Sequence, residues 1–227
     1  MNVHGIKVGD DVIMIGSGNI GLIVSYQLLQ AGINVKAIVE ATPHVGGYGV
    51  HANKVIRHNI DILTQKTIKR AIGTTQLEAV ELVDLDTGFN EIPNSSTIVP
   101  CDVCCVAVGL SPAYQLAAMM DVTTTYIGAL GGNIVVVNDR YQSSNPDLYV
   151  VGDALAIEEA SCAMMEGALS GLYVAQALKQ VHPHHDELVT MYQSQLAQLR
   201  DGPYGQITLK GLKEMEAYHE TSTHPTK

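Results

Sequence analysis

The chain has no tryptophan and a single phenylalanine, so its core must be built from aliphatic side chains; abundant Val, Ile, Leu and Ala suit a buried parallel sheet. Basic residues are also scarce. Thirteen Lys and Arg against 23 Asp and Glu leave a net charge of −10, which argues against the basic face of a nucleic-acid binder. No apolar run approaches the roughly 18 residues of a membrane span, and the N-terminus lacks a basic-then-apolar signal pattern. Four cysteines are too few for a disulfide framework in a chain this long, so the expected compartment is a reducing cytoplasm. Neither a Walker-type phosphate loop nor a G-x-S-x-G elbow is present, which removes support for nucleotide hydrolysis and serine esterase chemistry. What remains is 227 residues, roughly one and a half domains, with too much apolar and too little charged sequence for long-range disorder.

The first strong pattern is a β-branched run, Asp11 to Ile15, that stops at Gly16. Gly16-Ser17-Gly18-Asn19-Ile20-Gly21 follows, then a helical pattern from about Ile20 to Gln30, and a second strand from Asn34 to Val39 that ends at Glu40. A bare G-x-G-x-x-G is weak evidence, but between a strand and a helix it gains meaning. Gly16 permits the sharp turn, Gly18 lets backbone N–H groups approach a pyrophosphate, and Gly21 allows close helix–strand packing. Phosphates would meet the helix N-terminus, where unpaired donors and a partial positive charge stabilise an anion. Glu40, 24 residues after Gly16, is placed to accept hydrogen bonds from an adenosine ribose and to repel a 2′-phosphate. Ala41, Thr42 and Pro43 supply no cation to offset that repulsion, so NAD is expected over NADP.

Further along, a short helix is expected over His51–His58, and strands over Ile60–Thr64, Thr67–Ile72, Leu77–Asp84 and Val103–Val108. A short helix over Ala113–Met120, strands at Ile134–Val137 and Leu148–Val151, and helices near Glu158–Gln180 and Asp186–Leu199 come next. The polar stretch after Gly202 shows only a weak helical piece near Leu212–Tyr218, with a frayed end.

Three ordered stretches carry a family resemblance: the glycine turn; Cys101 to Pro112 (CDVCCVAVGLSP); and Asn145 to Asp153 (NPDLYVVGD), followed on a helix by Glu166 to Gly171 (EGALSG). Together they resemble the two-dinucleotide-binding-domain flavoproteins, the FAD/NAD(P)-dependent oxidoreductases of the pyridine nucleotide-disulfide reductase superfamily. The nearest branch resembles the oxidoreductases related to small amine or proline dehydrogenase subunits and to partners of glycerol-3-phosphate dehydrogenase-like proteins. The resemblance implies an α/β fold: a Rossmann-like NAD-binding domain over residues 1–111, the C-terminal half of an FAD-binding domain over 112–182, and a helical tail over 183–227. It assigns Gly16, Ser17, Gly18, Asn19, Ile20, Gly21 and Glu40 to the NAD site, and Gly109 to the strand end where the chain leaves that domain. Gly152 and Asp153 fall on the turn whose acid, in the family, meets the ribityl or pyrophosphate part of FAD.

Family members hold FAD mainly through another N-terminal glycine fingerprint; here Met1 to Lys7 resembles the connector leading into the NAD domain. The second flavin half is therefore expected to lack its mate, leaving open edges for another chain or self-association to cover. FAD binding is expected to need such a partner, unless the chain is a truncated product. The implied activity is an oxidoreductase component that binds NAD(H) and passes a hydride to or from a flavin. The alternative is a non-catalytic nucleotide-binding or interaction subunit. Since the flavin carries the electron transfer, no catalytic side chain is named.

Other groups invite chemistry and find a plainer reading. Cys101 and Cys104 have C-x-x-C spacing but fall at the start of and within a buried strand, whereas an active dithiol normally opens a helix. His182, His184 and His185 crowd one helix break, where three histidines seldom converge on a metal without a carboxylate and a supporting shell, and His219-Glu220 with His224 misses the H-E-x-x-H spacing. Asp84 and Asp86 read as turn acids. Ala163, Gly167, Gly171 and Ala175 recur every four residues and leave one helix face bare, either for tight packing or for close approach to a sheet or flavin.

Overall fold

The computed structural model describes residues 3–202 and 205–223. The chain forms two compact units, one ending at Gly109 and the other beginning at Leu110. Among the described residues, no helix is long and apolar enough to cross a membrane.

The first unit is α/β with a parallel sheet. Its elements are β1 (Asp11–Ile15), α1 (Asn19–Gln30), β2 (Asn34–Val39), α2 (Gly49–Arg57), β3 (Asp61–Leu63), β4 (Lys66–Ile72), β5 (Ala79–Asp84), β6 (Thr97–Pro100) and β7 (Val103–Val106). The parallel strands run in the order β3-β2-β1-β7, and β4-β5-β6 form a separate antiparallel sheet. β1 is central, paired with β2 from Asp11↔Asn34 to Ile15↔Val39 and with β7 from Val12↔Val103 to Ile15↔Val106. That explains its uninterrupted apolar sequence, since a strand covered on both faces has no polar side. Val12 and Met14 face the cluster that includes Leu22 and Leu28 of α1 and Ala52 and Val55 of α2. Ile13 and Ile15 face Val80 and Leu82 of β5. Full burial of each such side chain contributes roughly 1.5–3 kcal/mol. β6 escapes the sequence reading because it is a short edge strand ending in Pro100, a residue that edges tolerate.

The second unit holds α3 (Gln115–Ala118), the hairpin β8 (Thr124–Ile127) and β9 (Gly132–Val135), α4 (Ala160–Ala177), α5 (His185–Arg200) and α6 (Gly205–Thr223). Its core packs Ile127, Leu130 and Ile134 with Val150, Leu155 and Met215, while Cys162, Leu169 and Tyr173 of α4 pack on Leu196 of α5.

Two expectations fail here. Leu148–Val151 does not become a strand: it pairs only through the isolated bridge Gln142↔Tyr149, with Val150 N–H donating to the Tyr141 carbonyl at 2.9 Å. A β-rich sequence still needs a neighbouring ladder, and the described residues supply only that fragment. The polar stretch after Gly202 is more than a weak helical piece, since α6 runs 19 residues. Its buried positions Thr208, Gly211 and Met215, with half-buried Leu212, follow helical spacing; two of the four are small or polar, so hydropathy misses the stripe. A Cβ on Gly211 would lie 2.6 Å from Leu130, so glycine is what lets α6 approach the hairpin.

Candidate functional site

The glycine turn is shaped by backbone collisions. Gly16 has φ +101°, and a Cβ there would sit 2.2 Å from the Ala107 carbonyl oxygen. A Cβ on Gly21 would lie 2.1 Å from the Gly16 oxygen, so α1 can start against the turn only with glycine at that position. The turn is tied to the sheet by Gly16 N–H donating to the Val39 carbonyl at 2.7 Å and Ala107 N–H to that of Ile15 at 2.7 Å. Gly18 is the N-cap of α1; no side chain caps this end and no acidic residue sits in its first turn. The positive end of the helix therefore lacks a compensating anion from its own sequence.

Glu40, just past β2, closes onto this turn. Its Oε2 accepts from Ser17 N–H at 3.0 Å and from the Ser17 hydroxyl at 2.6 Å. Its Oε1 accepts from Thr42 N–H at 2.9 Å, and the Thr42 hydroxyl lies 2.9 Å away. That hydroxyl also reaches the His44 carbonyl at 2.6 Å, and its one proton serves one acceptor at a time. Oε1 thus keeps a lone pair available to a hydroxyl donor such as a sugar. Partial burial works to raise the Glu40 carboxyl, but the bonds from Ser17 and Thr42 outweigh it and hold it below the ordinary value.

Ser17 is fully buried, and a loop folds over it: Gly46 N–H donates to the Ser17 hydroxyl at 2.9 Å, Gly47 N–H to the Ser17 carbonyl at 2.9 Å, and Tyr48 N–H to Asn19 Oδ1 at 2.8 Å. Gly47 belongs to this close approach, since a Cβ there would come within 2.8 Å of Asn19 N.

Gly16, Ser17, Gly18, Glu40 and Gly109 line one cleft of about 360 Å³. Asn19, Ile20 and Gly21 form the first turn of α1 beside it; the Ile20 side chain is exposed, so only its backbone is suited to an anion. Lys66 and Thr67 line the same cleft, and the sequence reading missed both. Lys66 arrives through tertiary structure: its N–H donates to the Glu40 carbonyl at 3.0 Å where β4 leaves β3. Its ammonium is ion-paired with Asp84. Asp84 is accordingly not a turn acid but the last residue of β5, facing Lys66 across the ladder; Asp86 is one, accepting from Gly88 N–H at 2.8 Å and Asn90 N–H at 2.9 Å.

Gly152 and Asp153 lie in the second unit, on a 3-10 turn over Gly152–Ala154. Gly152 has φ +59° and packs on Ala163 of α4, where a Cβ would come within 3.2 Å. Its N–H donates to Glu166 Oε2 at 2.7 Å. Glu166 Oε1 accepts from Arg200 at 2.6 Å, and Arg200 Nε donates to Glu158 Oε2 at 2.8 Å. Burial pushes the Glu166 carboxyl above its usual range despite the Gly152 and Arg200 donors. Asp153 itself is exposed, and its carbonyl accepts from Ala113 N–H at 2.8 Å. The stripe of small residues on α4 is packed at Ala163 and bare at its two glycines: no heavy atom lies within 4 Å of a Cβ built on Gly167 or Gly171. The tight-packing explanation therefore fails for those two glycines within the described residues.

All four cysteines are free thiols, and burial raises each of them, Cys162 to about 11. The raised values disfavour, at neutral pH, the thiolate that a dithiol site uses. Among the described residues no three His, Cys, Asp or Glu side chains gather as a metal set; His224 and the Glu220 side chain lie outside the described residues.

Comparison with known proteins gives this geometry a context. The family profile described as "Pyridine nucleotide-disulphide oxidoreductase" matches residues 3–167. The mitochondrial dihydrolipoyl dehydrogenase of Sus scrofa is 28% identical over 153 residues, covering 66% of this chain and 29% of that protein. The Homo sapiens protein of the same name is 26% identical over 153 residues, with the same coverage. The chain thus spans under a third of the length of these curated relatives. Among solved structures, a T. acidophilum thioredoxin reductase aligns with a TM-score of 0.61 at 21% identity, covering 74% of this chain and 52% of that one. A Bacillus anthracis CoADR-RHD aligns at 0.57 and 20% identity, covering 73% and 29%. At these identities the structural likeness speaks to the Rossmann-like flavoprotein fold alone.

Proposed function

Because the chain belongs to the pyridine nucleotide-disulphide oxidoreductase family, we propose that its first unit binds NAD(H) in the glycine-turn cleft and acts in hydride exchange with a flavin. The observation that carries this reading is the convergence of Gly16, Ser17, Gly18, Glu40 and Gly109 on one cleft at the uncapped N-terminus of α1. The backbone of Gly16 to Gly21 would hold the pyrophosphate, since its N–H donors and the helix dipole favour an anion. Ser17 and Thr42 fix the Glu40 carboxylate, whose Oε1 would accept from an adenosine ribose with the Thr42 hydroxyl turned to His44. Gly109, with open space where a Cβ would sit, would leave room for the nicotinamide end of a bound dinucleotide. When bound, the nicotinamide and flavin carry the hydride; the chain's part is to hold and orient them.

Gly152 and Asp153 form the FAD-facing part. Glu166 holds the Gly152 N–H, and exposed Asp153 offers a carboxylate to a ribityl hydroxyl. A second reading, that FAD needs a partner chain or self-association and that the chain alone is a nucleotide-binding subunit, is favoured by one feature. Leu148–Val151, directly before Gly152, has strand-like sequence and only an isolated bridge for pairing. Titration of the purified full chain with NADH, followed by nucleotide fluorescence, tests the first unit's role: saturable 1:1 binding is expected, and its absence refutes the proposal. A yellow flavin spectrum of the chain purified alone would refute the partner requirement; a colourless protein that takes up FAD only with a partner chain would support it.

A further inference from the structure

Resting on the reading of the cleft as a dinucleotide site, we infer that Asp84 sets cofactor discrimination there, by holding the Lys66 ammonium that would otherwise serve a 2′-phosphate. Glu40 is not the only ionisable residue lining the cleft. Lys66 lines the same cleft, and its backbone N–H is bonded to the carbonyl of Glu40 itself. A lysine lining the cleft and joined through its backbone to Glu40 is one whose ammonium, if free, could serve a phosphate, since an ammonium is a strong point-charge partner for one. Asp84 prevents that. It stands opposite Lys66 in the β4–β5 register and takes its ammonium in an ion pair.

The charges then decide the outcome. Glu40 and Asp84 carry −1 each and Lys66 +1, so the three groups sum to −1, and a 2′-phosphate adds about −1.5 to −2 more. With Asp84 neutral the sum becomes zero, and Lys66 has no strand partner competing for it. Glu40 therefore supplies the repulsion, and Asp84 occupies the cation that lines the cleft among the described residues. Asp84 is a positioning residue: it acts through Lys66, which lines the cleft, while Asp84 does not. The pair is partly exposed, with side-chain accessibilities of 27% and 39%, so it contributes little to folding and its variants remain testable.

The experiment measures dissociation constants for NADH and NADPH on the full chain as wild type, Asp84→Asn and Asp84→Asn/Lys66→Gln. Urea midpoints confirm that each variant folds. Wild type prefers NADH; D84N shifts the ratio toward NADPH by about tenfold, the effect of one charge-assisted contact, and K66Q in the same background abolishes that shift. A merely structural role for Asp84 would lower both affinities together and leave the ratio alone. Equal ratios in D84N and D84N/K66Q, or a wild type that binds NADPH as tightly as NADH, overturn this inference while leaving the nucleotide site in place. A folded wild type that binds neither dinucleotide overturns the site and the inference together.

Discussion

Replacing Arg200 by Met probes a buried charge network of the second unit. The Arg200 guanidinium serves both Glu158 and Glu166, and the three side chains are 8%, 6% and 2% accessible. Methionine keeps most of the hydrocarbon volume, so the cavity contribution is small and the charge effect dominates. Two buried carboxylates are left without their cation, for which removal of one partner typically costs about 3–5 kcal/mol. The pH dependence gives the test its sign. Burial raises the folded-state pKa of Glu166 above its unfolded value. Below the unfolded value both states are protonated and no penalty exists. The penalty grows as pH rises from there through the folded value, because the unfolded chain ionises first. Loss of Arg200 raises the folded value further, so the defect should be largest near neutral pH and shrink on acidification. Urea unfolding, followed by far-UV circular dichroism and by the emission of the ten tyrosines, measures this at pH 7.5 and at pH 5. A loss below about 1 kcal/mol at neutral pH, or no recovery in acid, would refute the assignment of a buried ion-paired triad. Adding Glu158→Gln and Glu166→Gln to R200M should restore much of the loss.

Other substitutions probe the first unit and the thiols. Glu40→Gln cannot satisfy both Ser17 N–H and Thr42 N–H, because either amide orientation points an NH2 at a donor; it should lose about 1–3 kcal/mol in urea unfolding. The same variant should bind NADH about 10- to 100-fold more weakly by fluorescence titration, having lost charge-assisted ribose contacts. Gly16→Ala drives a Cβ into the Ala107 carbonyl at a positive φ, and thermal melting should show a loss greater than about 2 kcal/mol. The raised cysteine thiols predict slow alkylation by iodoacetamide at pH 7 that accelerates as pH approaches 9 and beyond; rapid neutral-pH labelling of Cys101 or Cys104 would revive a redox role.

The strand–turn–helix–strand unit was legible because each of its parts is specified locally. An apolar run, a glycine turn, helical spacing and a second β-branched run occupy consecutive stretches, and Glu40 marks the end of the last. Where partners come from distant sequence, local pattern was silent. Lys66 belongs to a strand 26 positions after Glu40 and reaches the cleft only because β3 pairs beside β2. Asp84 was misread since its partner lies across a ladder rather than in its own turn. Leu148–Val151 shows the opposite failure, a correct local preference without the neighbour that would make it a strand. The long last helix was hidden because Thr208 and Gly211 occupy its buried face, where size matters more than hydropathy.

The central claim places a dinucleotide phosphate on the backbone that opens α1, with its sugar held by Glu40. Amide hydrogen exchange of the full chain, with and without saturating NADH, tests it most directly. Slowed exchange concentrated at residues 16–21 and at Thr42 is the predicted result. Protection that appears elsewhere while these amides exchange unchanged would contradict the account.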